Sequence, residues 1–386
     1  MTDTMARNIN NMFKKILISA VISALVTGCQ STQSNQTQNT SVNNKASNIL
    51  IAKSAYNFSD DDITVPAYFD TQGLERCTFD HHKENEGCPL KKSIIRIYFG
   101  NNNTIGKGKG LQYVEQVNNL KLVKMLENQL AGLSRFRIIT RDNQTIGQEQ
   151  ATYLAEQGVS AYAKRIALQK TLAPDFIIKI DTTKTVDTFY AHTSGVMDYT
   201  LEMTSAVIDP FTKEKMSHPN IGKIRIKSAD VVNSKDELNV VIVSGRYYSG
   251  FNFSDPLVVQ AMFSDMASRG FDIFLTRMLS EMPSTAQVLG IKGDLLTLDR
   301  GQNAGVLIDE TMVIFQYDAG FVEPIGVATV TPSKQSATGK IVKWKNSNLA
   351  DSIKKQAKSG IFRPSNSTKI FAVSVGTPAS FLENRT

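Results

Sequence analysis

Histidine, cysteine and long apolar runs are scarce in this chain, and each scarcity excludes something. There are four histidines (His81, His82, His192, His218) in 386 residues. No nucleophile, metal-ligand or phosphate-loop signature accompanies them, so a non-enzyme without metal or cofactor is expected. Basic blocks are absent too. Lys and Arg number 43 against 36 Asp and Glu, and the excess is spread along the chain, so no nucleic-acid arm and no nucleic-acid partner are expected. The apolar run Ile16 to Val26 is too short to cross a bilayer, which takes roughly 20 residues. What remains is ample for folding: 41% hydrophobic, 8% aromatic and 20% charged residues suit two domains and exclude a disordered or collagen-like chain.

The N-terminus reads as an address. Arg7, Lys14 and Lys15 precede the apolar run, which ends in Val26-Thr27-Gly28-Cys29 and is followed by Gln30; a start at Met12 would leave a compact signal peptide. Small residues directly before a cysteine resemble the bacterial lipobox. That resemblance implies a diacylglyceryl group on Cys29, cleavage after Gly28, and Cys29 as the first mature residue. An ordinary signal peptide with an incidental cysteine is the bland alternative. Gln30, where an aspartate would retain a lipoprotein at the inner membrane, implies the periplasmic face of the outer membrane. Acyl chains contribute about 0.8 kcal/mol per buried CH₂, so several anchor a protein without a spanning helix. Residues 29–48 are nearly devoid of apolar side chains and read as a polar, flexible tether. Removing the leader's net +2 from the chain's +7 leaves a mildly cationic +5.

Cys77 and Cys88, in an extension spanning 49–92, are an even pair in an exported chain, and a disulfide is the leading reading. It would stabilise by roughly 3 kcal/mol. The competing reading joins Cys77, His81, His82 and Cys88 in a tetrahedral zinc site; adjacent histidines and an unfamiliar spacing count against it.

Beyond the extension, Ser93 to Phe99 predicts a strand and Gly100 to Gly110 a flexible loop. Val114, Val117, Leu120, Val123, Leu126, Leu130 and Leu133 recur at helical spacing up to Gly132. Arg135 to Thr140 predicts a strand, Gln148 to Leu168 a helix, and Phe176 to Asp181 another strand, an α/β layer. Further β segments follow at Lys184 to Tyr190, Met197 to Ile208, Gly222 to Val232 and Val240 to Tyr248. Asp255-Pro256 caps a long helix to Met282 whose Met and Phe stripe is core. After Pro283, five short strands between Ala286 and Val342 predict a small barrel. From Lys343 the tail is polar, with one candidate strand at Lys369 to Val375.

The runs Ile94 to Phe99, Leu133 to Arg141 and Ala173 to Ile180, with the helix between the first two, resemble the curli secretion channel family. That family shares its core with the N-terminal domain of the translocation protein TolB, and similar domains occur in flagellar ring and peptidoglycan-synthase activator lipoproteins. Asp294 to Leu298, Arg300 to Val306 and the glycine-spaced strands after them resemble the C-terminal domain of a flagellar ring protein. The resemblance implies an α+β fold: a TolB-N-terminal-like and curli-channel-like α/β sandwich over 93–282, a small SH3-like β-barrel over 283–345, and a tail over 346–386. It also implies a lipid-anchored homo-oligomer with envelope protein partners, a scaffold or channel component of secretion or flagellar assembly. A monomeric lipoprotein that binds or activates a cell-wall synthesis enzyme is the alternative.

Membrane strands need about 9 to 11 residues with an apolar outward face. The candidate hairpins here are polar: Lys184 to Asp198 carries Asp187 and His192, and Gly222 to Arg246 carries seven charges from Lys223 to Glu237. A platform is therefore expected rather than a pore, with Val240 to Val243 the one candidate for a membrane-facing strand. Asp60-Asp61-Asp62 is expected as a solvated turn, since it lacks the glycine and glutamate of a calcium loop. Arg135, Arg137 and Arg141 are expected on the wet face of a sheet. Tyr247, Tyr248, Phe251 and Phe253 either seat a partner or fill the core.

Overall fold

The computed structural model describes residues 50–67, 69, 71, 74, 92–107, 109–117, 119–139, 174–191, 194–213, 215–216, 222–231, 238–253, 255–365 and 368–383. The leader, Cys29, the tether, Cys77, His81, His82, Cys88, Arg141, the predicted helix Gln148 to Leu168, His192 and His218 lie outside the described residues.

The first layer is a sheet backed by helices. Its strands are β1 (Ile94–Gly106), β2 (Arg137–Ile138), β3 (Phe176–Ala191), β4 (Ser194–Ile208), β5 (Lys215–Met216), β6 (Lys223–Lys227), β7 (Leu238–Val243) and β8 (Arg246–Phe251). The order is β2-β1-β3-β4-β8-β7, with β5 and β6 also on β4. β1 runs parallel to β2 and β3, and the other pairings are antiparallel. Among the described residues, three helices belong to this layer: α1 (Lys109–Glu115), α2 (Asn119–Gly132) and α3 (Pro256–Glu281). The predicted single helix before Gly132 is thus two, divided where polar Gln116, Asn118 and Asn119 weaken the helical tendency. Val114, Val117, Leu126, Leu130 and Leu133 are buried as expected.

The start of α3 follows from its sequence. Asp255 accepts a hydrogen bond from the Leu257 amide at 2.8 Å and Pro256 occupies the first turn, satisfying a donor the helix leaves open. Met262, Phe263, Met266, Phe271, Phe274 and Met278 are buried in one core with Ile178, Ile180, Tyr199 and Leu201 from the sheet. Tyr199 meets Phe263 edge-on at 5.9 Å. A Cβ on Gly270 would lie 2.1 Å from Met203 Cε, so the flexible end of that methionine occupies the space glycine leaves between helix and sheet.

The Gly- and Asn-rich tract expected as a loop is strand as far as Gly106. A bulge between Phe99 and Asn102 interrupts its pairing with β3. There Asp181 Oδ1 accepts from the Asn101 amide at 2.7 Å, and Thr182 Oγ1 donates to Asn102 Oδ1 at 3.0 Å. Poor strand formers are overruled by a partner strand that resumes the pairing from Asn102 to Gly106 after the bulge. β3 likewise joins two segments read separately, and β3 with β4 forms one long hairpin paired from Ile177↔Ile208 to Ala191↔Ser194.

The second layer is a closed barrel in the order β10-β13-β12-β11-β14-β9. Its strands are β9 (Thr285–Lys292), β10 (Leu295–Leu298), β11 (Glu310–Asp318), β12 (Phe321–Pro332), β13 (Ala337–Trp344) and β14 (Lys369–Ser374). The expectation of five strands ending near residue 345 is corrected here. The sixth strand comes from the tail and bonds β11 on one side and β9 on the other, because five strands alone leave two edges unpaired. The tail also carries α4 (Asn348–Ser359), which sequence reading missed, and α5 (Ser380–Glu383). Ser347 caps α4 by accepting from the Ala350 amide at 3.2 Å, and Ala350, Ile353 and Ala357 pack into the barrel core.

Six consecutive residues of β11, Glu310 to Phe315, are buried, because both faces are covered. Met312 and Ile314 face the barrel interior, whereas Val313, Phe315 and Tyr317 lie under Ala55, Phe58, Ile63 and Leu74 of the N-terminal extension. Residues 50–67 therefore strap the barrel.

Candidate functional site

Ser244 and Gly245 both take positive φ, 50° and 75°, the two-residue reversal that matches strand twist. They join β7 to β8 in a ribbon whose register sets Ile242 opposite Tyr247 and Val240 opposite Ser249. The ribbon's two faces differ. On one, Val241 is buried and Tyr248 stacks on Phe189 of β3 at 4.1 Å. On the other, Val240, Ile242 and Tyr247 are 59%, 53% and 77% exposed. Phe251 anchors the ribbon at its base, fully buried and stacked on Phe253 at 5.3 Å. Of the four aromatics singled out, Phe251 is core, Tyr248 is a docking ring within the fold, and Tyr247 is free to meet something else.

β7 ends the strand order, and among the described residues no strand pairs with its outer edge. Its described residues include no charge or proline of the kind that guards edges. An apolar face beside an open edge favours strand or surface pairing with another protein.

The polar hairpins expected here take another form. Lys184 to Asp198 is the far end of the β3–β4 hairpin, and Lys184 is only 1% exposed within it; burial lowers its pKa below the ordinary 10.5. Asp187 stands opposite Asp198. The Asp198 carboxyl is raised above 3.8, chiefly by burial, although it accepts from Ser228 Oγ at 3.2 Å. Gly222 to Arg246 is not one hairpin. β6 pairs with β4 and alternates buried Ile224 and Ile226 with exposed Lys223, Arg225 and Lys227, and Lys223 reaches Glu202 at 2.6 Å.

Arg135 also departs from expectation: it is not on a wet face. The turn after α2 holds Ser134 at φ 54° and aims Arg135 into the seam between sheet layer and barrel. There its guanidinium donates to Glu310 Oε1 at 2.7 Å and to the Gly305 carbonyl at 2.8 and 3.1 Å. Glu310 Oε2 accepts from Ser284 Oγ and the Leu307 amide. Both side chains are buried, at 4% and 0% exposure. Gly305 sits at φ 76°, and a Cβ there would be 2.4 Å from Arg135 Cα, so the Gly-Gln-Asn-Ala-Gly turn is shaped around the arginine. A groove of about 480 Å³ beside it is lined by Gln129, Leu133, Val306, Ile308 and Phe381.

Two of the three aspartates near residue 60, Asp60 and Asp62, do structural work. Asp62 accepts from Lys53 Nζ at 2.7 Å and from the Ser59 amide at 2.6 Å, and these hydrogen bonds, with the Lys53 contact first, hold its carboxyl well below the ordinary range. Asp60 Oδ1 accepts from the Asn346 amide at 2.7 Å. Among the described residues no group of three or more His, Cys, Asp or Glu is arranged to hold a metal ion, and no helix is long and apolar enough to cross a membrane.

No family model matches the chain, and no curated protein matches it. Among solved structures, the lipoprotein GNA1162 of Neisseria meningitidis is similar over 46% of this chain and 96% of its own, at 11% identity and a TM-score of 0.19. Overlap that slight decides neither fold nor role.

Proposed function

We propose that this chain is a bacterial outer-membrane lipoprotein, anchored through Cys29, that acts without catalysis as an oligomeric scaffold in an envelope assembly. The exposed apolar face and open edge of the β7–β8 ribbon carry the reading. They join subunits through Val240, Ile242 and Tyr247. The lipobox Val26-Thr27-Gly28-Cys29 supports the anchor, and several acyl chains suffice to hold a protein at a membrane. The order β1, α1 with α2, β2, β3 supports the curli-channel-like and TolB-like reading of the sheet layer, and the closed barrel supports a small-barrel assignment of the SH3-like kind.

The test is the mass and image of the full-length protein extracted in mild detergent. Wild type is expected as a discrete closed oligomer. The double variant V240K/I242K, whose substitutions lie on exposed positions, is expected as a monomer with unchanged thermal melting. Cys29→Ser is expected to leave the membrane fraction. A wild-type monomer under all conditions would overturn the scaffold and leave the monomeric module that activates a cell-wall enzyme.

A further inference from the structure

On the side of the barrel formed by β9, β10 and the 360–363 segment lies a groove of about 650 Å³. Ile291 and Phe362 exchange backbone hydrogen bonds, both 2.9 Å, which fixes the groove's far wall. Leu289, Leu295 and Ile361 line it and are 41%, 63% and 58% exposed. Isolated exposed leucines are ordinary, but three converging on one cleft mark a binding surface.

The charges around it are predominantly positive. In register, Lys292 of β9 and Lys340 of β13 both stand opposite Leu295 of β10. Directly opposed residues share a sheet face, so a leucine is flanked by two ammonium groups on neighbouring strands. Arg363 adds a guanidinium on the wall. Among the described residues, Lys292, Lys340 and Arg363 have no ion-pair partner. Asp294 is the single acid in segments 285–298, 337–344 and 360–365, and its Oδ1 is taken by Trp344 Nε1 at 2.8 Å.

We infer that this groove binds an extended segment of a partner protein in which an apolar residue has an aspartate or glutamate two positions before it and two positions after it, so that all three side chains share one face. Strands lie about 4.8 Å apart, so the two lysines sit roughly 10 Å from each other with the leucine between them. An extended chain with carboxylates two positions before and two positions after an apolar residue presents them on one face and satisfies all three. An anionic lipid carries its charge at one end and leaves one lysine unanswered. The site belongs to the barrel and is independent of the ribbon's role in self-association.

The test is selection of random dodecapeptides displayed on phage against the immobilised full-length chain. Selected sequences are expected to place Asp or Glu two positions before and two positions after Leu, Ile, Val or Phe. Synthesised with a fluorophore, they are expected to bind wild type at least tenfold more tightly than K292E/K340E, with the difference shrinking as salt rises. The single variant L295S is expected to weaken them severalfold without changing their preference for acids. All three substitutions are at exposed positions, and matched circular dichroism melts confirm intact folding. Recovery of no consensus, recovery of basic sequences, or equal binding to the charge-reversed chain would overturn the inference. So would phosphatidylglycerol vesicles that bind wild type but not K292E/K340E while no peptide is selected. The oligomer mass is measured separately, so failure of either reading is visible without the other.

Discussion

At the scale of single residues the decisive contact is Arg135 with Glu310, because both are buried and Nε and Nη2 of the guanidinium are bonded, while its buried Nη1 is left without a hydrogen-bond partner. Taking two charges out of water costs several kcal/mol per ion, and only good geometry with supporting hydrogen bonds offsets that. Here the carboxylate has three donors and the guanidinium has two acceptors. Removing one partner strands the other. Glu310→Ala is therefore expected to destabilise the protein by about 3–5 kcal/mol, read as a lower urea midpoint. The double change R135M/E310L removes both charges and is expected to cost markedly less. Equal losses from the single and double changes would mean that packing at the seam, rather than charge, is what the pair supplies. The pair was not legible beforehand: the partners are 175 residues apart, and an Arg-x-Arg alternation near a strand has the same pattern whether one arginine faces water or a neighbouring domain.

Among elements, legibility tracked how local the forces are. The cap and first turn of α3 were readable from Asp255-Pro256, and β10 was readable from Leu295 to Leu298, because capping chemistry and period-two burial sit within a few residues. Gly100 to Gly106 was not, since β3 supplies its pairing from about 80 residues away. α4 had a local signal that composition concealed: Ser347 as cap and Ala350, Ile353, Ala357 at helical spacing, amid lysines and serines. Val240 to Val243 and Tyr247 were singled out, but which side of the ribbon faces outward depends on Tyr248 finding Phe189. The N-terminal strap combines both kinds. Its inner face is apolar and its turn is locked by Asp62, whose pKa is depressed by Lys53 and Ser59. A carboxylate with a folded pKa below its unfolded 3.8 adds stability above that pH and loses it as pH falls toward the folded value. Amide exchange over residues 52–64 is expected to be about five- to thirtyfold faster in Asp62→Ala at pH 7, the range for a lost cap of about 1–2 kcal/mol. The gap should narrow as pH drops below 3.8. Exchange unchanged at pH 7 would show that Phe58 and Ile63 hold the strap alone.

For the whole molecule, both ends of the described chain are fastened to the barrel and one continues past it. The Ala52 amide donates to the Thr377 carbonyl at 2.7 Å, Thr377 Oγ1 donates to the Thr276 carbonyl of α3 at 3.1 Å, and Phe381 enters the core under the sheet. The tail thus closes the barrel with β14 and then ties it to the helix that backs the sheet. A chain ending at Trp344 would lose Ile370, Phe371 and Val373, all at 0% exposure, and open the edges of β9 and β11. At about 1.5–3 kcal/mol for each buried side chain, the loss is roughly 5–9 kcal/mol, comparable to the entire stability of a typical domain. The shortened chain is expected to be insoluble, or to lack a cooperative thermal transition in circular dichroism. A soluble, cooperatively folding product would mean instead that five strands close on their own and that β14 is an added layer. The outcome bears on assembly as well. A barrel that needs its tail presents Leu289, Leu295 and Ile361 on a wall completed only after the last stretch of chain is in place. Partner capture at that groove would then follow folding of the whole subunit, while the β7–β8 ribbon, built from the sheet alone, could pair earlier.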